Sequence, residues 1–284
     1  MSTAVIQPRC VFCKTTEDKR TREHVWRRSL RDRFPMAPSL TFWQQMSGES
    51  SVTTRPMSQF DMTVNVVCSK CNAGWLNDLE DRALAALEYF GLGKGRVPGR
   101  PELDNFAFWA IARALLRTHA SPAGRAPQYL FHAIYEARDR RRLPNGCIVS
   151  IAPTAPVSME AGLHQSVNLD GHYFGHVAVS FGTLFMSVLL GGPDQTTTLL
   201  VRRAYNQMLA WFPKTLWELA PVFRTPPSGL HVFRPAEAMV AGSSLGFFLD
   251  LAPCDQFGNL LDLKAVIPTA RRGIVSWTDI SRRK

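Results

Sequence analysis

The chain has no apolar run long enough to cross a bilayer. Its longest mainly apolar stretch, residues 176–190, is interrupted by Ser180, Gly182, Thr183 and Ser187, and it falls short of the roughly 20 residues that a spanning helix needs. No membrane partner is expected. The opening segment MSTAVIQPRCVF lacks the basic start, long apolar core and small-residue cleavage site of an export signal, so the expected setting is cytoplasmic. Cysteine is scarce, six residues in 284, which in a reducing compartment argues against a disulfide framework. Repeats and low-complexity tracts are missing. Acidic side chains are outnumbered, 23 Asp and Glu against 33 Lys and Arg, for a net charge of +10. That balance implies a polyanionic partner without choosing among nucleic acid, acidic lipid and acidic protein.

What is present suits packed cores: 45% apolar and 10% aromatic residues. A length of 284 residues, at about 150 per domain, corresponds to two domains. Residues 91–101, GLGKGRVPGRP, hold four Gly and two Pro and read as a linker. The expected division is 1–95 and 96–284. Before the linker, residues 63–67 are β-branched and extended. Trp75, Leu76, Leu79, Ala83, Leu87 and Phe90 then recur at helical spacing, predicting an amphipathic helix over 72–90. After it, helices are expected over 103–118, 127–142 and 203–211. Short β-branched or aromatic runs at 147–153, 172–180, 182–190, 197–202, 229–234 and 246–251 predict an antiparallel sheet. The fold class is α+β, and the second domain of mixed helices and sheet has no role that the sequence reveals.

Charge is clustered. Residues 19–33 carry Lys19, Arg20, Arg22, Arg27, Arg28, Arg31 and Arg33 against Glu23 and Asp32, and a second cluster is Arg138, Arg140, Arg141 and Arg142. A solvated helix face explains either run as well as a binding surface does.

Four of the six cysteines form two C-x2-C pairs, Cys10 with Cys13 and Cys68 with Cys71, while Cys147 and Cys254 stand alone as ordinary buried thiols. Each C-x2-C turn aims two sulfurs at one point, so two turns brought together complete a tetrahedral zinc shell with no open position. The expected zinc is structural. A redox C-x-x-C is the competing reading, but it leaves one pair spare and lacks a thioredoxin-like strand–helix order. The 54 residues between Cys13 and Cys68 exceed a compact zinc finger, so the loop must carry structure of its own. Within it lies Glu23-His24-Val25. An adjacent carboxylate and imidazole can divide two tasks in phosphodiester hydrolysis, one holding a divalent ion and the other taking a proton from water. On an extended strand they face opposite ways, so a bend or strand end is required. An ordinary surface pair is the alternative. Asn72, directly after the second pair, suits a helix N-cap, and its amide oxygen equally suits an ion.

In order, C-x2-C, Glu23-His24-Val25 and then V-C-x2-C-N-x-G-W with an acidic residue soon after resemble the HNH endonucleases of the ββα-metal (His-Me finger) group, especially zinc-framed bacterial and phage members. The resemblance covers about Cys10 to Glu80, a quarter of the chain. It implies an N-terminal zinc-stabilised ββα-metal domain with His24 as general base and Glu23 and Asn72 as ligands of a catalytic Mg2+ or Mn2+. Zinc would sit on Cys10, Cys13, Cys68 and Cys71. It implies a nucleic-acid substrate, DNA before RNA, with Arg22, Arg27, Arg28 and Arg31 holding the backbone. A homodimer would bring two active sites together. Three positions depart from the pattern. Asn72 replaces the final His, as in HNN-type relatives. Arg27 stands where a proline often follows. The middle Asn has only Asn65 as a candidate, closer to Cys68 than usual. Trp75 is expected to anchor the helix in the core; Asn77 and Asp78, one turn beyond, suit support of the site and an exposed helix face equally well. His172 and His176 are read as packing or surface residues. The rival from another class is a catalytically inactive zinc module that binds nucleic acid, which leaves Glu23 and His24 without a task.

Overall fold

Alternating and β-branched residues on both sides of the cysteine frame form a two-stranded ribbon, in which β1 (Arg20–His24) runs antiparallel to a later strand, Thr63–Cys68. The pairs are Arg20 with Cys68, Thr21 with Val67, Glu23 with Val64 and His24 with Thr63. Between the inner pairs β1 advances by one intervening residue and the later strand by two, Asn65 and Val66, so the later strand carries a bulge. The Val66 carbonyl accepts from the Val11 N–H at 3.0 Å, which ties the first cysteine turn to the ribbon. The computed structural model describes residues 9–34, 41–44, 53–56, 59–120, 125–141, 143–153, 162–169, 172–211 and 217–220.

Between the ribbon strands come α1 (Ser29–Arg33) and a hairpin of β2 (Thr41–Gln44) and β3 (Thr53–Pro56), and the ribbon's second strand is therefore β4. One turn, α2 (Ser69–Cys71), and a π-helical turn over Asn72–Leu76 lead into α3 (Asn77–Leu92). The expected helix over 72–90 is thus present with a widened entry. Leu79, Ala83, Ala86 and Leu87 form its buried stripe, and Gly93, at φ 64°, ends it in the left-handed conformation. Beyond a short connection, α4 (Arg100–His119) is buried along most of its length, and Glu102 closes its first turn by accepting from the Gly99 N–H at 2.6 Å. After α5 (Gln128–Ala137) come β5 (Ile148–Pro153), β6 (Gly162–Leu169), β7 (His172–Phe181), β8 (Leu184–Gly191), α6 (Gln195–Trp211) and β9 (Trp217–Ala220). The strands form an antiparallel sheet in the order β6-β7-β8-β5-β9.

Alternation along these strands divides two apolar layers. Tyr173, Val177, Val179, Met186 and Val188 join the core shared with α4, and Phe174, Ala178, Phe185 and Leu189 pack with Val201, Ala204 and Tyr205 of α6. Both faces are covered, which is why β7 and β8 are almost continuously apolar. The connection near residue 95 joins helices that pack on each other, and apolar residues from both sides of it share one core. Trp26, beside the ribbon, lies 5.9 Å from Trp109 of α4 and 5.3 Å from Phe181 of β7.

The run 197–202, expected as a strand, is the first part of α6. Asp194 overrides its β-branched character: its carboxylate accepts from the Thr197 N–H at 2.8 Å and from the Thr197 hydroxyl at 2.6 Å, capping the helix. The expected helix over 203–211 is the second part of the same element. The runs 229–234 and 246–251 and Cys254 lie outside the described residues. The strands β2, β3, β6 and β9 were not anticipated.

The β7–β8 turn seats on the end of α3 through Gly182. Its φ is +57°, and a Cβ there would stand 2.1 Å from the Gly91 carbonyl oxygen. Gly182→Ala is expected to cost about 2–4 kcal/mol. Gly93→Ala has the same sign of φ but open space, and should cost about 1 kcal/mol. Urea unfolding midpoints compare the two; equal losses would remove the contact with Gly91 as the cause.

Candidate functional site

The turn containing Cys10 and Cys13 meets the end of β4 and the start of α2, where Cys68 and Cys71 lie. All four sulfurs fall within 4.8 Å of one another, and Cys13 Sγ is 3.6 Å from Cys68 Sγ. Four sulfurs bound at 2.3 Å to one tetrahedral ion stand about 3.8 Å apart, so the cluster has the right size for such an ion. Backbone donors already point at it: the Cys68 N–H lies 3.4 Å from Cys10 Sγ, and the Cys71 N–H 3.4 Å from Cys68 Sγ. The sulfurs compete for charge. A hydrogen bond from Cys71 pulls the Cys10 thiol down to about 4 against the opposing effect of burial. Burial pushes Cys68 up to about 11, and the bond to Cys10 together with burial pushes Cys71 up. A set of four close, soft donors that resist sharing charge among themselves fits a thiophilic cation.

An aromatic wall shields this centre. Phe12 meets Trp75 edge-on at 5.0 Å and Phe131 at 5.4 Å, and Trp75 lies 6.3 Å from Tyr135. Trp75 thus anchors the π-helical turn against the core. The N-cap of α2, which leads into that turn, is Cys68, whose sulfur accepts from the Cys71 N–H; Asn72, expected as an N-cap, sits inside the helical path instead.

Asn72 uses its amide nitrogen to donate to Thr21 Oγ1 at 2.8 Å, and Thr21 in turn donates to the Val67 carbonyl at 3.3 Å. The Asn72 Oδ1 accepts no hydrogen bond from a described residue. Thr21 and Glu23 share one face of β1, so Asn72 is tied to the face that bears Glu23. His24 closes the strand on the other face, with Arg20 and Arg22. The chain then turns inward, with the Val25 N–H donating to the Met62 carbonyl at 2.9 Å. The half-buried His24 ring makes no hydrogen bond or ion pair with a described residue.

Glu23 is 7% exposed, and its partner comes from far along the chain. Arg113 of α4, itself buried, donates through Nη1 to Glu23 Oε1 and to the His24 carbonyl at 3.0 Å, and through Nη2 to Glu80 Oε2 of α3. Burial opposes the Arg113 charge, yet Glu80 and Glu23 more than offset it and hold its pKa above the ordinary value. Two carboxylates therefore share one guanidinium, and Glu80 Oε1 is buried without a hydrogen-bond partner. Arg113 and Thr21 escaped the sequence reading. An arginine inside the apolar run FAFWAIARALL was the available signal, since a buried charge requires a partner.

The other expected site residues scatter. Asn65 is exposed on the β4 bulge and bonds to no described residue. Asn77 lies 3.5 Å from Asp81, which pairs with Arg27 at 2.8 Å on an exposed surface. Arg22 donates to Thr63 Oγ1 at 3.4 Å, Arg31 lies 3.8 Å from Asp61, and Arg28 has no ion pair with a described residue. In the second cluster, Arg138 lies over the Tyr135 ring and Arg141 over Phe108. His176 is buried, bonds to Ser187 at 2.9 Å and is driven down to about 4 by burial, which suits a packing role. Among the described residues, no helix is long and apolar enough to cross a membrane. Comparison with family models, with curated proteins and with solved structures returns no match to this chain.

Proposed function

We propose that this chain is an HNH-type, metal-dependent DNA endonuclease built on a structural zinc site at Cys10, Cys13, Cys68 and Cys71, working in a reducing, cytoplasmic setting. The observation that carries the reading is the ribbon-and-helix unit itself. One strand ends in Glu23-His24, Asn72 lies in the turns that lead into α3, and four sulfurs cluster at the base. His24, whose ring makes no hydrogen bond or ion pair with a described residue while its carbonyl is held by Arg113, takes the proton of a water that attacks the phosphorus while the bond to the leaving oxygen breaks. Glu23, through its second carboxylate oxygen, and Asn72, through Oδ1, are hard donors suited to Mg2+ or Mn2+. The excess negative charge of Glu23 and Glu80 over Arg113 favours a cation there. A divalent ion bound at these atoms would supply Lewis-acid stabilisation of the leaving oxygen. Arg22 and Arg28 flank the scissile phosphate, and Arg27 and Arg31 can exchange their exposed acidic partners for phosphates at small cost. Cutting both strands would require a second copy.

One observation favours a second reading. Arg113 occupies one oxygen of Glu23 and adds a positive charge beside the proposed ion, as in a module that binds nucleic acid without cutting it. Plasmid DNA incubated with Mg2+, Mn2+ or EDTA decides between them. Wild type should nick the plasmid with either ion and not with EDTA, and His24→Ala should bind as well but cut about 100-fold more slowly or less. Binding by wild type with no cutting under any ion would establish the silent module instead.

A further inference from the structure

Three arginines from separate parts of the chain, Arg9 before the first cysteine turn, Arg20 of β1 and Arg125 just before α5, converge on a cavity. It has a volume of about 590 Å³ and lies between the first cysteine turn, β4, the end of α4 at His119 and the start of α5 at Gln128. Arg9, Arg20 and Arg125 line it together with His119, Thr63 and Asn65, and among the described residues no acidic side chain does. This distinguishes it from the neighbouring surface, where Arg27, Arg31 and Arg33 each face a carboxylate of this chain. Among the described residues, none of the three lining guanidinium groups has an ion pair. Three unneutralised charges around one concavity attract an anion carrying several charges, and the planar guanidinium forks suit phosphate oxygens. His119 is held neutral, driven down to about 4 by burial and then by Arg125, so at neutral pH its ring is a hydrogen-bonding group and adds no charge. Its position against Phe131, ring centroids 5.0 Å apart, fixes its orientation.

The cavity adjoins the proposed cutting site. Thr63 is the ladder partner of His24, and Arg20 shares the His24 face of β1. Four residues of strand cover about 13 Å, or about four nucleotide steps of 3.4 Å. We infer that this cavity is a phosphate-backbone subsite, in which Arg9, Arg20 and Arg125 hold the nucleic-acid strand a few nucleotides from the phosphate facing His24. The inference rests on the nucleic-acid part of the proposed function and is independent of cleavage. It also gives Asn65 a place: an exposed amide on the bulge at the cavity wall, available to sugar or phosphate oxygens.

The test is fluorescence anisotropy of the full-length protein with a labelled duplex oligonucleotide, titrated at several salt concentrations without added divalent ion. Arg20→Ala/Arg125→Ala should weaken binding about tenfold and reduce the slope of log K against log salt by about 1.5 to 2. Arg96→Ala, an exposed linker arginine paired with Glu102, removes charge elsewhere and should change both far less. Because Arg20 is paired with Cys68 on the ribbon, Arg125→Ala alone, with unchanged zinc content, guards against misfolding and should lower the slope by about half as much. An unchanged slope in folded variants overturns the subsite even if the wild type cuts DNA. A reduced slope supports it even if the wild type cuts nothing. Inorganic pyrophosphate separates a strand from a free nucleotide: binding of pyrophosphate that Arg125→Ala abolishes, with oligonucleotide affinity intact, would overturn the strand assignment.

Discussion

Cys68→Ser should abolish zinc binding at the proposed four-cysteine site and leave the ribbon unfolded. Cys68 is fully buried, ends β4, caps the following helix through its sulfur and lies 3.6 Å from Cys13 Sγ. A serine hydroxyl keeps the volume but stays protonated and makes a poor zinc ligand, so the substitution removes a metal bond and a helix cap together. Structural zinc contributes on the order of 10 kcal/mol to domains whose ligand sites do not exist in the unfolded chain, more than the whole stability of many domains. Here the ion would join segments separated by 54 residues, and among the described residues the other links to the first cysteine turn are few: the Val11–Val66 backbone bond, the Cys68 N–H on Cys10 Sγ, the Gln128 side chain on the Val11 carbonyl, the His132 ring near the Phe12 carbonyl and the Phe12 ring contacts. Elemental analysis should find about one zinc per chain in wild type and almost none in Cys68→Ser, with a lowered thermal transition. Cys147, buried in β-sheet surroundings and pushed up to about 12 by burial, is the control: Cys147→Ala should retain the metal. Wild-type protein that unfolds at the same temperature with and without a strong chelator, and carries no zinc, would remove the metal from the account.

The four-cysteine cluster was legible because its signal is local and redundant: two C-x2-C pairs of fixed spacing, each of which brings two sulfurs to one place. The helix after Cys71 was legible from its apolar period, and β7 and β8 from their β-branched runs. What the sequence hid depends on residues far apart. The bulge at Asn65–Val66 follows from a pairing across the ribbon and a backbone bond to Val11, neither of which leaves a compositional mark. The strand expected over 197–202 became helix because one carboxylate, Asp194, caps it, and a cap of three atoms outweighs several weak β-propensities. Asn72 was expected to cap the helix or to hold an ion; the cap is Cys68 instead, and the amide nitrogen of Asn72 is taken by Thr21, 51 residues away in the chain. The candidate carboxylate is the clearest case. Glu23 looked like half of an isolated pair, and its environment is set by a guanidinium 90 residues later.

Arg113→Met should therefore be among the most damaging substitutions away from the cysteines. It removes the single cation held between Glu23 and Glu80 and also strips a donor from the His24 carbonyl. Breaking a buried ion pair from one side costs about 3–5 kcal/mol, chiefly because the remaining charge is stranded, whereas replacing the whole network with neutral groups costs far less. The triple variant Arg113→Met/Glu23→Gln/Glu80→Gln should recover much of the loss, a non-additivity readable as a shift in the urea midpoint. Arg113→Lys tests geometry apart from charge. An ammonium is a point donor and cannot span two carboxylates and a carbonyl as the planar fork does, so it should lose about half as much stability as Arg113→Met. Under the proposed nuclease function, Arg113→Lys should also lower the cleavage rate more than it lowers DNA affinity, since His24 would lose its fixed backbone anchor while the arginines proposed to hold phosphates stay in place. Equal midpoints for Arg113→Met, Arg113→Lys and wild type would mean that the buried cluster contributes no net stability, and its role in holding the ribbon to α4 would fall with it.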